Sequence, residues 1–198
     1  NNIEVDYAWI GNDLDWTEWH EPRLLRFFGI KIENRVKNFL NFLSKKNINI
    51  LNNEVLSQKI ISEINNWSQK FNGNLIKLYK FKYKGFPLGK GVASSLISHF
   101  KDNNFNPIKN LKKVRKLLIS AAIIFERCES ILKKKKYTKI VTFNGRFATC
   151  FPIILLAEKY KIKTLRHERG ATYDKYEIFN KNINDFNFIR EEIKRYWK

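Results

Sequence analysis

The sequence predicts an α/β fold in which parallel strands are flanked by helices, and three observations carry that prediction. A short β-branched run at 139–143, a helical pattern at 148–160 and a second short strand at 162–167 fit one strand–helix–strand crossover of about thirty residues. Alternation in Ile3, Val5, Tyr7 and Trp9 opens the chain as another strand, ended by a Gly-Asn-Asp turn signal. Apolar residues spaced by three and four over 111–136 form the longest helical pattern.

The remaining elements follow in order. Pro22 suits the first turn of a helix from about Arg23, continued by Val36, Leu40 and Leu43. "NINIL" from Asn47 reads as a short strand. Residues 54–71 carry Leu56, Ile60, Ile64 and Trp67 on one helical stripe, stopped by Asn72-Gly73. "NLIKLYKFKYKGFPLG" from Asn74 alternates apolar and basic residues, the pattern of a strand with one wet face. "GFPLGKG" lacks the spacing and the Ser/Thr of a phosphate-binding loop and reads as a turn into the helix of "VASSLISHF". The last stretch, "NDFNFIREEIKRYWK", is an amphipathic helix capped by Asn184 or Asp185.

Composition bounds the function. The chain has 198 residues, sixteen Phe and five Trp, enough for one core and too apolar for disorder. The formal net charge of +19 favours anionic partners such as a phosphorylated substrate, an anionic membrane surface or nucleic acid. Two cysteines, Cys128 and Cys150, make no disulfide framework and point to a reducing compartment. No run is long enough to span a bilayer and no signal peptide is expected. His20, His99 and His167 have no metal-ligand spacing, so neither a metal nor a cofactor is expected.

Two polar clusters carry the chemistry. Parallel strands joined by a crossover end at the same sheet edge, where α/β folds bind ligands. Asn144-Gly145-Arg146 leaves the first strand, and His167-Glu168-Arg169-Gly170 ends the second. Gly145 permits a sharp turn and close approach of a ligand. Arg146 is expected beside a helix start, where a forked cation joins free backbone N–H donors in gripping phosphate or carboxylate. Glu168 can accept hydrogen bonds from hydroxyls or serve as a general base, as can His167 near neutral pH. Alternatives stand beside this reading: Asn-Gly as a hairpin turn, and Arg146 with Glu168 as a structural salt bridge.

"YKFKYKGFPLGKGVASSLIS", "FNGRFATCFPIILLAEKYKI" and "RHERGATYDKYEIF", followed by a charged helix ending in Tyr-Trp, resemble the N-terminal half of bacterial glycosyltransferases of the GT-B type that build capsules and other surface polysaccharides. The similarity covers 79–197. It implies one Rossmann-like domain over 1–198, forming the acceptor-side half of a larger two-domain enzyme. It also implies a nucleotide-sugar donor held mainly by the other half, a glycan or lipid-linked acceptor, and a cytoplasmic location at the inner face of the plasma membrane. Carried over onto this chain, Asn144, Gly145, Arg146, Arg169 and Gly170 bind substrate, while the base is sought among Glu168, His167, Asp13 and Asp15. The competing readings are a basic nucleic-acid-binding module, which lacks any zinc, helix-turn-helix or RNA-recognition motif here, and a non-catalytic scaffold of similar fold.

Overall fold

The computed structural model describes residues 4–8, 14, 32–46, 48–51, 54–170, 172, 175–182 and 185–197. In chain order these form β1 (Asp6–Ala8), α1 (Ile32–Ser44), β2 (Asn49–Leu51), α2 (Gln58–Gln69), α3 (Leu75–Tyr79), α4 (Leu88–Phe100), α5 (Leu111–Lys134), β3 (Lys139–Phe143), α6 (Phe151–Lys159), β4 (Lys163–Arg169), β5 (Tyr176–Phe179) and α7 (Phe186–Tyr196). The class is α/β, as expected. The large Rossmann-like parallel sheet is not present among the described residues. In its place stand a parallel β1–β2 pair and a three-stranded sheet in the order β3-β4-β5.

The helices account for that difference. Four successive helices separate β2 from β3, and they pack on one another. Helix α5 is central: Val114, Leu117, Leu118, Ala121, Ala122 and Phe125 are fully buried against α2, α4 and α6. This periodic stripe lies at the centre of the buried core, whose apolar burial drives folding.

The strand expected from Asn74 is a short helix followed by an extended segment. Asn74 caps α3 by accepting from the Lys77 amide at 3.0 Å. Beyond it the period of two is real, with Phe81 and Tyr83 turned inward and the lysines outward. The inward neighbours are helical side chains: Trp67 stacks on Phe81 at 5.0 Å and Tyr83 meets Phe125 at 5.9 Å. Trp67 Nε1 also donates to the Lys82 carbonyl at 2.7 Å, so no second strand is needed to satisfy the chain there. "GFPLGKG" is the expected turn into α4. A Cβ on Gly89 would lie 1.9 Å from the Leu78 carbonyl oxygen, so only glycine lets α4 begin this close to α3.

Two contacts tie the small sheets to the rest. Asp6 on β1 accepts from Lys135 Nζ at 2.8 Å, Tyr137 Oη at 2.7 Å and Asn49 Nδ2 at 2.9 Å, which fastens β1 to the segment entering β3. Helix α6 packs on β4, so the helical cluster covers one face of the three-stranded sheet. The opposite face is open: Val141, Tyr176 and Ile178 are 60%, 69% and 62% exposed. No helix among the described residues is long and apolar enough to cross a membrane.

Candidate functional site at the edge of the three-stranded sheet

β3 and β4 are parallel and joined by α6, and Phe143 lies in register with His167. The hairpin reading of Asn-Gly therefore falls. The Asn144 amide donates to the His167 carbonyl at 3.1 Å, which brings the two clusters into direct backbone contact. Asn144 is buried at φ +50° and Gly145 follows at φ +88°; Asn tolerates that left-handed region and Gly is indifferent to it. A Cβ at Gly145 would also meet Arg166 Nε at 2.9 Å and Ile154 Cγ1 at 3.2 Å.

The amides of this loop do not form the open anion cradle that the sequence suggests. Helix α6 begins at Phe151, five residues beyond Arg146, and five of the amides from Gly145 to Phe151 are engaged. The Gly145 amide donates to the Phe143 carbonyl, Arg146 N to Asn144 Oδ1 at 3.2 Å and Ala148 N to the buried Ser95 hydroxyl at 2.8 Å. Cys150 N and Phe151 N both donate to the Phe147 carbonyl, the first at 3.0 Å.

The Arg146 guanidinium lies over the Phe147 ring at 4.3 Å, and its Nε is buried without a hydrogen-bond partner. Glu168 Oε1 is likewise buried and unpartnered. Among the described residues no ion pair joins Arg146 to Glu168. Each such group costs roughly 1–3 kcal/mol while unsatisfied, so a donor and an acceptor are held ready at one sheet edge.

Strand alternation splits the second cluster between two faces. Glu168 shares the helix-covered face with Arg166, whereas His167 shares the open face with Phe143, the rings 5.5 Å apart. Arg169 is exposed and pairs in register with Tyr176 on β5. Gly170 has a structural explanation: its amide donates to the Lys175 carbonyl at 2.7 Å, and a Cβ there would meet Lys175 Cβ at 2.8 Å. Asp13 and Asp15 lie outside the described residues.

Sequence reading missed Arg166, Phe143 and Tyr176. Arg166 donates to the Asn180 carbonyl at 3.4 Å, and burial lowers its pKa while the charge of Glu158 acts in the opposite sense. Its signal was the period of two, which places it beside Glu168. Tyr176 had no such signal, because its position depends on the antiparallel pairing of β5 with β4. Among the described residues no group of three His, Cys, Asp or Glu side chains is placed to hold a metal ion.

The arrangement can hydrogen-bond a hydroxyl-rich ligand through Glu168, attract an anionic group through Arg146, and offer ring surface along the open face. Comparisons with protein-family models, with curated proteins and with solved structures find no match to this chain.

Proposed function

We propose that the chain is the acceptor-side part of a glycosyltransferase that moves a sugar from a nucleotide-sugar donor to a growing surface-polysaccharide or lipid-linked glycan. The observation that carries this reading is the pair of buried, unpartnered atoms, Arg146 Nε and Glu168 Oε1, at a sheet edge formed by a right-sized crossover. Glycosyl transfer needs a base on the acceptor hydroxyl and a cation where phosphate departs. Glu168 takes the first role, with His167 the other candidate for it; Arg146 takes the second, and Asn144 and Gly145 shape the turn that presents it. Arg169 adds a cation on the open face. The Rossmann-like, GT-B-type half is part of the same proposal, as are donor binding by a second half and a cytoplasmic, peripheral place at an anionic inner leaflet.

The test is transfer by the enzyme supplied with a panel of nucleotide sugars and lipid-linked acceptors, read as nucleotide release. Glu168→Ala and Arg146→Ala are each expected to lower the rate at least about a hundredfold, the scale of a lost general base or a lost transition-state donor. Melting temperatures should stay within a few degrees. Unchanged transfer per folded molecule would sink the assignment.

A second reading, a nucleic-acid-binding module, draws on the net charge of +19. It predicts tight, salt-sensitive binding to random oligonucleotides, indifferent to nucleotide sugars.

A further inference from the structure

Helix α7 meets β5 through Phe188 and leaves its strongest apolar pattern on the other side. The Phe188 ring is half-buried, 6.3 Å from that of Phe179, with Lys181 Nζ over it at 5.9 Å. Phe186, Ile189, Ile193 and the C-cap residue Trp197 fall within an arc of about 80° at the helical period, on the side of the helix away from Phe188. Along that stripe Phe186 is 89%, Ile193 53% and Trp197 88% exposed. An open hollow beside it is lined by Phe186, Asn187, Ile189, Arg190, Ile193 and Lys194, all of them residues of α7 itself.

We infer that α7 is an interfacial helix whose Phe186–Ile189–Ile193–Trp197 stripe enters the surface of an anionic bilayer. The inference rests on the peripheral placement proposed above for the anionic leaflet, and adds the element that enters it. Three features single out a lipid layer. The stripe is a ridge: no other element among the described residues walls the hollow beside it, so a peptide finds no groove to seat in, whereas lipid conforms to a ridge. Its ends are the aromatic residues Phe186 and Trp197 and its middle is Ile189 and Ile193, which sets a Trp where the headgroups favour one.

The third feature is the sorting of charge. At the helical period Arg190 and Lys194 border the stripe on one flank, with Glu191 behind them. Their bonds to Glu191, at 3.9 and 3.0 Å, are exposed ion pairs of little strength, so both long side chains can turn to lipid phosphates while their stems stay on the apolar surface. Glu192, on the other flank, is paired with Arg195 at 3.1 Å. A second copy fits this pattern badly, because a twofold, antiparallel pairing of two α7 stripes sets the Arg190–Lys194 flank against itself. Nucleic acid would use the cations and gain nothing from Ile189 and Ile193.

Four side chains make a weak anchor, and stable membrane attachment takes a second signal. The lysines spread over the rest of the surface supply it, so salt still releases the protein.

The test is cosedimentation of the full chain at low salt with vesicles of mixed phosphatidylglycerol and phosphatidylcholine. Phe186→Ala/Trp197→Ala should lower the partition coefficient at least about tenfold, the scale of two rings losing their burial. Trp197→Phe, which keeps a ring, should change it by less than threefold. Arg190→Ala/Lys194→Ala should weaken binding severalfold and flatten its salt dependence. Acyl-brominated phosphatidylglycerol should quench the Trp197 emission, read as the difference between wild type and Trp197→Phe. All four positions are exposed, so melting temperatures should hold.

Vesicle binding that Phe186→Ala/Trp197→Ala leaves unchanged, or Trp197 emission that brominated lipid does not quench, would overturn the inference and leave the peripheral placement to the lysines. A wild type that binds no anionic vesicle removes the placement and the inference together. A dimer in sedimentation equilibrium that Phe186→Ala/Trp197→Ala converts to monomer would assign the stripe to a second copy instead.

Discussion

Asp6 accepts three hydrogen bonds, from Lys135, Tyr137 and Asn49. The Lys135 bond, followed by that of Tyr137, lowers its pKa from 3.8 to about 2. A carboxylate whose folded pKa is depressed contributes stability that is complete above about pH 4 and is lost as the pH falls toward 2. Denaturant unfolding over that window should show a fall in stability that Asp6→Asn flattens, and at neutral pH the same variant should cost about 1–3 kcal/mol. Cys128 behaves in the opposite sense. Burial pushes its thiol up to about 12, so it should resist iodoacetamide in the native protein at pH 8 and react on unfolding. Ser95 accepts from the Ala148 amide; Ser95→Ala strands a buried donor and should lower stability by about 1–3 kcal/mol. At this scale the sequence was partly legible. The cap at Asp185, which accepts from Asn187 N at 3.0 Å, follows from residue type alone, while the role of Ser95 depends on a contact across 53 positions that no local pattern encodes.

Elements were legible where a single period ran uninterrupted. β3 spans Lys139–Phe143, the β-branched run itself, and α5 follows its stripe of threes and fours. The stretch from Asn74 shows why a period is insufficient. Alternation there reports which side chains are buried, and a strand forms only when a neighbouring backbone offers hydrogen bonds. Here Trp67 and the start of α4 occupy that space. Gly89→Ala tests this packing: its Cβ would clash with a main-chain oxygen, so a loss of about 3 kcal/mol is expected in denaturant melts, the upper end of overpacking costs. β5 was not foreseen because its four residues, Tyr176–Phe179, show no period of their own. The edge site was foreseen in outline through the crossover rule, yet the occupied loop amides could not be read, since their partners lie on other elements.

Across the whole molecule charge is unevenly placed. Residues 64–125 contain eleven Lys and one Arg, and Asp102 is their sole carboxylate. These residues form the α2 end, α3, α4 and the first half of α5, and Ile76 within them is 66% exposed. Lysines near an anionic bilayer contribute about 1 kcal/mol each within a Debye length. If the proposed peripheral placement holds, the protein should cosediment with phosphatidylglycerol vesicles at 50 mM salt and be released at about 500 mM, with neutral phosphatidylcholine vesicles binding little at either. Retention at high salt would mean apolar insertion rather than electrostatics. None of this asymmetry is visible in the net charge alone; it emerges once the charges are followed along the chain.

The register that sets Glu168 opposite Glu177 has a dynamic consequence. Two carboxylates facing across an antiparallel ladder weaken it, so the β4–β5 hairpin should breathe more often than the parallel β3–β4 ladder beside it. In native-state hydrogen exchange the amides of 176–179 should then exchange well before those of 139–143, and any hydroxyl-bearing ligand that bridges the two carboxylates should slow them selectively. The hairpin thereby becomes a local reporter of occupancy, one that needs no knowledge of the reaction to be read.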